Sequence, residues 1–208
     1  YDLDETLQAE TYQEIIRGFT GAAGHEQPVL PTPTEAQRTK AAALLSSAAG
    51  KRKIGLCVKG TFGLKTWPKE YFVEIVRALH ERYDAAFYVT GAPGDYDYAE
   101  EVIAAIRLPV ENLCGKTNLM ELAAFYAQLD LLISVDTGGG HIAAATGVPL
   151  VVVFGCTSPR RWHPISDNAK AFTSNEPCCP CSYGETDCPS YPQPNCLYHV
   201  RPDAVLAE

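Results

Sequence analysis

Positive charge is the first thing this sequence is short of. Lysine and arginine total 17 against 25 aspartates and glutamates, for a formal net charge of -8. A chain so balanced has no broad basic face for a phosphate backbone, which excludes nucleic acid as its main partner. A small phosphorylated ligand remains admissible where one loop supplies local donors. Long hydrophobic runs are missing too. The longest candidate, Val148 to Phe154, falls far short of the ~20 residues of a membrane-spanning helix and suits a buried strand. The N-terminus has no basic region followed by an apolar stretch, so no signal peptide is visible. What is present is ordinary globular composition: 208 residues, 46% hydrophobic and 20% charged, room for one α/β domain with an extension.

Cysteine is plentiful but uneven. Cys57, Cys114 and Cys156 fall at apparent strand ends, whereas Cys178, Cys179, Cys181, Cys188 and Cys196 crowd together near the C-terminus. Secreted disulfide proteins more often spread their pairs across the core, so a cytoplasmic location is expected. The spacing Cys178-x2-Cys181-x6-Cys188-x7-Cys196 admits a structural four-thiolate metal site, two disulfides or free thiols.

Residues 1–33 read as an extension, with a short amphipathic helix over 10–19 (Tyr12, Ile15, Ile16 and Phe19 on one face) and then a linker. Thr34 and Gln37 have capping-box spacing for a helix running to about Ala49. Beyond Gly50 strands and helices alternate. Strands are expected at 53–58, 85–90, 131–135 and 149–154, with a third short one closing at Leu113–Gly115. Helices are expected at 68–83, at 98–106, after Asn118 and at His141–Thr146. Unbroken apolar strands alternating with helices imply a parallel sheet covered on both faces, a Rossmann-like doubly wound α/β fold, with ligands beyond the carboxyl ends of the strands.

The loop Asp136-Thr137-Gly138-Gly139-Gly140-His141 carries the sharpest signal. Glycines between a strand and a helix let backbone N–H groups approach a ligand, and a helix start near His141 would add its own donors. A tight turn selected for close packing is the competing explanation. Asp136 is expected to orient the loop by accepting local N–H bonds. In the loop after the first strand, Thr61 and Lys65 could reach phosphate oxygens. Asp95 and Asp97 follow the second strand, where a carboxylate can accept from ribose hydroxyls. The competing explanation for Lys65 is a solvated surface lysine, favoured on composition alone, and for Asp95 and Asp97 simple loop solubility.

Taken together, four motifs in order resemble the glycosyltransferase family that includes the lipopolysaccharide heptosyltransferases (glycosyltransferase family 9). They are Lys65-Thr66-Trp67-Pro68, Gly91-Ala92-Pro93, Gly115-Lys116-Thr117-Asn118-Leu119, and the run from Asp136 to Ala145 with Phe154-Gly155-Cys156-Thr157-Ser158-Pro159. The resemblance extends from about Lys53 to Val205. It implies half of a GT-B enzyme of two facing Rossmann-like domains, inverting, with an ADP-heptose-like donor and a lipopolysaccharide core acceptor. By position it puts Thr61 and Lys65 on the phosphates and Asp136, Thr137, Gly138, Gly139 and His141 on the diphosphate and sugar side. Asp95 then faces the ribose, with Asp97 as the competing register, and Thr117 lies beside the base. No metal or cofactor is expected for transfer. Residues 1–33 would be the end of an N-terminal domain and the linker, and 34–208 the donor-binding domain. The acceptor site and the catalytic base would lie in that N-terminal domain, so no catalytic residue is expected in this chain. The implied location is the cytoplasmic face of the inner membrane, with peripheral membrane association.

Two readings compete. Asp2-Leu3-Asp4-Glu5-Thr6 resembles the Asp-x-Asp-x-Thr nucleophile motif of haloacid-dehalogenase-type phosphatases. That chemistry needs a buried strand before the first aspartate, and the residues after Thr6 read as helix and linker. A non-catalytic nucleotide-binding module, for NAD for example, would want Gly-x-Gly-x-x-Gly after the first strand, where Lys59-Gly60-Thr61-Phe62-Gly63 stands instead.

Overall fold

Apolar residues in short runs dictate the frame of this computed structural model, which describes residues 6–22, 28–181 and 187–207. Six strands form one sheet: β1 (Arg52–Cys57), β2 (Ala85–Val89), β3 (Val110–Asn112), β4 (Leu131–Val135), β5 (Leu150–Val153) and β6 (Ala169–Phe172). Their order is β3-β2-β1-β4-β5-β6 and every pairing is parallel. This is the Rossmann order, with its switch point between β1 and β4. The helices in chain order are α1 (Gln8–Thr20), α2 (Glu35–Leu44), α3 (Lys69–Arg82), α4 (Tyr96–Ile106), α5 (Leu119–Tyr126), α6 (Gly138–Thr146), α7 (Pro159–Trp162), α8 (Asn195–Tyr198) and α9 (Pro202–Leu206).

Successive strand residues enter opposite cores, as a two-residue period requires. Ile54, Leu56, Phe87, Val89, Ile133 and Val135 meet Phe72, Ile75 and Val76 of α3 and Val102 and Ile106 of α4 on one face. Cys57, Tyr88, Leu132, Leu150 and Val152 meet Ala41 of α2, Phe125 and Tyr126 of α5 and Ala143 of α6 on the other. Each fully buried large side chain contributes ~1.5–3 kcal/mol. The first core also takes in Leu197, Val200 and Val205, and Trp67, fully buried, donates from Nε1 to Val200 O at 2.9 Å. The C-terminal segment is thereby clamped to the start of α3.

The helix starts expected at Thr34 and Asn118 both carry complete capping boxes. Other boundaries differ. β3 ends at Asn112, paired with Val89, before the 113–115 stretch expected to close it; there the Asn112 side chain turns back on its own chain, Oδ1 accepting from the Cys114 N–H at 3.0 Å. α2 stops at Leu44 and a 3-10 turn, Ser46–Ala48, fills the rest of the expected helix. The apolar face of α1 exists, but no residue of that helix is buried, and Phe19 is 89% exposed. The edge strand β6 had no period strong enough to announce it: Ala169, Ala171 and Phe172 are only partly buried. No described helix is long and apolar enough to cross a membrane.

Candidate functional site

The carboxyl ends of β1, β2 and β4 open onto a cleft of about 600 Å³. Lys59, Gly60 and Thr61 line it after β1, the Thr90–Pro93 turn and Asp95 after β2, and Thr137, Gly138 and Gly139 after β4. Pro93, Leu119, Leu122 and Ile142 supply apolar wall, and Thr117 and Asn118 close the rim. Apolar walls with a few converging polar groups suit a small, partly planar ligand. A larger hollow, about 790 Å³, lies at the other end of the sheet beside Arg52, Asp84 and Asp130. Both of its carboxylates are already paired, Asp84 with Lys51 at 3.5 Å and Asp130 with Arg52 at 3.0 Å, and open α/β sheets bind ligands at the carboxyl end.

The glycine loop is not a loop. Thr137 is the extended N-cap (φ -152°, ψ 164°), and Gly138, Gly139 and Gly140 form the first turn of α6, three residues before the expected start at His141. None of the three has positive φ, so what they supply is the missing Cβ. A Cβ at Gly139 would stand 3.0 Å from Cys57 Sγ and 3.2 Å from the Tyr126 hydroxyl, while at Gly138 it would meet nothing within 4 Å. The helix N-terminus can therefore sit against the cleft floor at one glycine and leave backbone N–H uncovered at the next. Such an N-terminus favours anions.

Sequence reasoning missed the floor itself. The Thr90 and Tyr126 hydroxyls lie 2.8 Å apart, and Cys57 Sγ is 3.3 Å from one and 3.2 Å from the other. Burial raises the acid pKa of both Cys57 and Tyr126, outweighing the hydroxyl bonds that lower it, so both stay protonated. The available signal was positional: Cys57 and Thr90 end neighbouring strands, and Tyr126 lies on the apolar face of α5.

Lys65, Asp136 and His141 do not line the cleft. Lys65 Nζ lies 2.7 Å from Asp136 Oδ2, and the Thr157 hydroxyl donates to the same oxygen at 2.6 Å. Asp136, which is buried, thus binds two side chains from other loops instead of the local N–H groups expected for it. The reason is proximity. Gly155 brings the end of β5 so close to the Lys65 turn that a Cβ there would stand 2.3 Å from Leu64 O, and one at Gly60 would stand 2.6 Å from Lys65 Cβ. The ammonium is held on Asp136, two residues before the first residue of α6. The His141 ring reaches the surface, yet the protein around it removes enough water to lower its pKa below the ordinary histidine value. Lys65 and His163 add to that and Asp136 opposes it.

Of the two carboxylates after β2, Asp95 faces the cleft and Asp97 does not. Asp95 Oδ2 accepts from the Ala92 N–H at 2.8 Å, and Oδ1 lies 3.3 Å from Lys59 Nζ, a partner that sequence reasoning did not single out. Asp97 sits exposed in the first turn of α4. Asp2 and Asp4 lie outside the described residues.

The cysteine spacing admits a metal site, two disulfides or free thiols, and the structure shows free thiols. Cys178, Cys181, Cys188 and Cys196 form no metal cage: among the described residues no three His, Cys, Asp or Glu side chains converge to hold an ion. Cys196 is near enough to Cys178, Cys181 and Cys188 to feel all three, Cys156 adjoins Cys181 and Cys196, Cys179 bonds Cys196, and all are free thiols. Burial pushes Cys156 up to about 12 and Cys196 to about 11. The backbone decides this arrangement, since Cys181 N–H donates to Cys156 O at 2.9 Å and ties the segment to the end of β5.

Comparison with known proteins agrees with this geometry. Residues 5–191 match the family model for glycosyltransferase family 9 (heptosyltransferase). The chain is 36% identical over 124 residues to lipooligosaccharide heptosyltransferase 2 of Haemophilus influenzae, covering 56% of this chain and 35% of that one. Among solved structures, the glycosyl transferase family 9 protein of Veillonella parvula superposes with a TM-score of 0.83 at 20% identity, over 99% of this chain and 59% of that one. The Escherichia coli ADP-heptose lipopolysaccharide heptosyltransferase II does so with 0.71 at 24%, over 89% and 53%. The chain therefore spans only about a third to three fifths of the length of these relatives. With nine-tenths of its length matched by one family model and a sheet of the same fold, the chain belongs to glycosyltransferase family 9, the heptosyltransferase family.

Proposed function

We propose that this chain is the donor-binding part of an inverting glycosyltransferase that moves heptose from ADP-heptose to the lipopolysaccharide core. One observation carries the reading: the cleft at the carboxyl ends of β1, β2 and β4 joins an apolar wall to the glycine turn of α6, with Lys65 held beside it. A nucleoside fits between Pro93, Leu119 and Leu122, its base beside Thr117 and its ribose within reach of Asp95. The diphosphate then meets the N–H groups of Gly138 and Gly139, the Thr61 and Thr137 hydroxyls and the Lys65 ammonium. The name of the E. coli neighbour supports ADP-heptose as the donor.

In transfer, the bond from the anomeric carbon to the diphosphate breaks as the acceptor hydroxyl attacks from the opposite face, and the diphosphate leaves with added charge. Lys65 and the α6 N-terminus stabilise that charge where it develops, so no metal cofactor is needed. A base must lie within hydrogen-bond reach of the acceptor hydroxyl. No residue of the cleft fills that role, and we assign it, with the acceptor site, to an N-terminal domain of which residues 1–33 are the last helix and linker. Residues 34–208 are then the donor domain, working in the cytoplasm at the inner membrane face. Calorimetric titration with ADP, ADP-heptose, UDP and GDP tests the reading. ADP and ADP-heptose should bind, with or without a chelator. A clear preference for UDP, or no binding at all, would overturn it.

A further inference from the structure

A hollow of about 220 Å³ lies between the turn that carries Lys65, the start of α4 and the C-terminal segment, and shares no lining residue with the first cleft. Three tyrosines and three prolines dominate its wall: Tyr98 of α4, Tyr191, Tyr198 of α8, Pro68, Pro192 and Pro194. The tyrosines are anchored. Tyr98 packs against the first core, the Tyr191 N–H donates to Cys188 O at 3.0 Å, and Tyr198 O accepts from the Tyr71 hydroxyl at 2.9 Å. The one aliphatic hydroxyl of the lining is already committed: Thr66 Oγ1 donates to Phe62 O and accepts from the Gly60 N–H, both at 3.2 Å.

Aromatic rings carry negative faces that attract cations, and the surrounding charges add to that attraction here. Burial, then the Glu70 and Glu101 carboxylates and Tyr198, push the Tyr98 phenol up to about 12, and after burial Glu70 raises Tyr198 as well. Lys69 stands 4.0 Å from Glu101 and offsets that carboxylate, which leaves Glu70 as the negative charge common to both rings. The same aromatic cluster already seats one cation. The Arg201 guanidinium lies 4.6 Å from the centre of the Tyr71 ring, itself 6.0 Å from that of Tyr198. A metal ion or a plain ammonium would lose water here without replacement, since among the described residues no carboxylate lines the hollow. A methylated ammonium has little water to lose, and its methyl groups match ring and proline carbons. The volume falls below the ~300–1,000 Å³ of ordinary ligand pockets, so the occupant is small. We propose that this hollow is a binding site for a small methylated ammonium cation of the choline type, held on Tyr98, Tyr191 and Tyr198.

The test sets choline against its uncharged isostere, in which a tert-butyl group replaces the trimethylammonium group. Both are titrated into the whole chain and followed by proton NMR of the ligand methyl groups. Choline should bind with its methyl resonances moved upfield by the ring currents, and the isostere roughly fivefold more weakly. Tyr191→Leu and Glu70→Gln change exposed side chains, Tyr191 being 52% exposed, so thermal unfolding should stay at the wild-type value and report any folding defect. Each should weaken choline roughly three- to fivefold. Absence of an upfield shift with the wild-type chain would overturn the proposal. So would equal binding of the isostere, which would make the hollow a merely apolar one, or an unchanged choline affinity in either variant.

Discussion

Lys65 is poised and occupied at once. Its ammonium is paired with Asp136, so the diphosphate of the proposed donor would share a charge already neutralised, and Asp136 keeps Thr157 as a second partner. Lys65→Ala should weaken ADP binding by ~1.5–3 kcal/mol, the range for a hydrogen bond to a charged group, and calorimetry reads it directly. An unchanged affinity would remove Lys65 from the site. His141 reports the same charges independently. By NMR its ring should titrate below the ordinary histidine value, lower still in Asp136→Asn and higher in Lys65→Ala, according to the direction of each influence. Stability takes the matching sign. Because the folded pKa lies below the unfolded one, the contribution of the neutral ring is complete above the unfolded value and is lost as pH falls through the folded value.

At the scale of elements, the start of α6 and the floor beneath it work as one unit. Alanine normally favours a helix over glycine by up to ~1 kcal/mol. At Gly139 the sign should reverse, because the new Cβ meets Cys57 Sγ at 3.0 Å and the Tyr126 hydroxyl at 3.2 Å, both buried and bonded to each other. Gly139→Ala should cost ~1–3 kcal/mol of stability in denaturant unfolding, as overpacking does, and also lower ADP affinity by displacing the turn. Gly138→Ala is the control: it meets nothing within 4 Å and should retain or gain stability. Equal behaviour of the two variants would refute this account of the turn.

Across the whole molecule, the Lys65-x-Trp67 motif joins the Asp136 contact beside the candidate site to the C-terminal segment. Trp67 bonds Val200 O, the Tyr71 hydroxyl donates to Tyr198 O at 2.9 Å, and the Arg201 guanidinium stands 4.6 Å from the centre of the Tyr71 ring. Trp67→Phe keeps most of the buried area but loses the indole N–H and some volume. It should cost ~1–3 kcal/mol in thermal or urea unfolding, with a smaller effect on ADP affinity than Lys65→Ala has. An affinity loss larger than that of Lys65→Ala would mean that Trp67 touches the ligand.

Much of the fold was legible in the residues. The unbroken apolar runs of strands such as Phe87–Val89 and the capping pairs Thr34–Gln37 and Asn118–Glu121 are local, and local rules carry them. Motif spacing marked out Thr61, Asp95, Thr117 and the glycine turn, all of which reach the first cleft. What the sequence by itself determined, then, was the alternation, the sheet type and the end of the sheet where a ligand belongs. Only the tertiary structure decided that α6 begins at Gly138, that Asp136 turns to Lys65 and Thr157, that Asp95 and not Asp97 faces the cleft, and that Cys57, Thr90 and Tyr126 meet beneath it. These are contacts between residues 21 to 71 positions apart, or choices of helix register, fixed by how close neighbouring strands bring their loops. No local preference encodes such a distance.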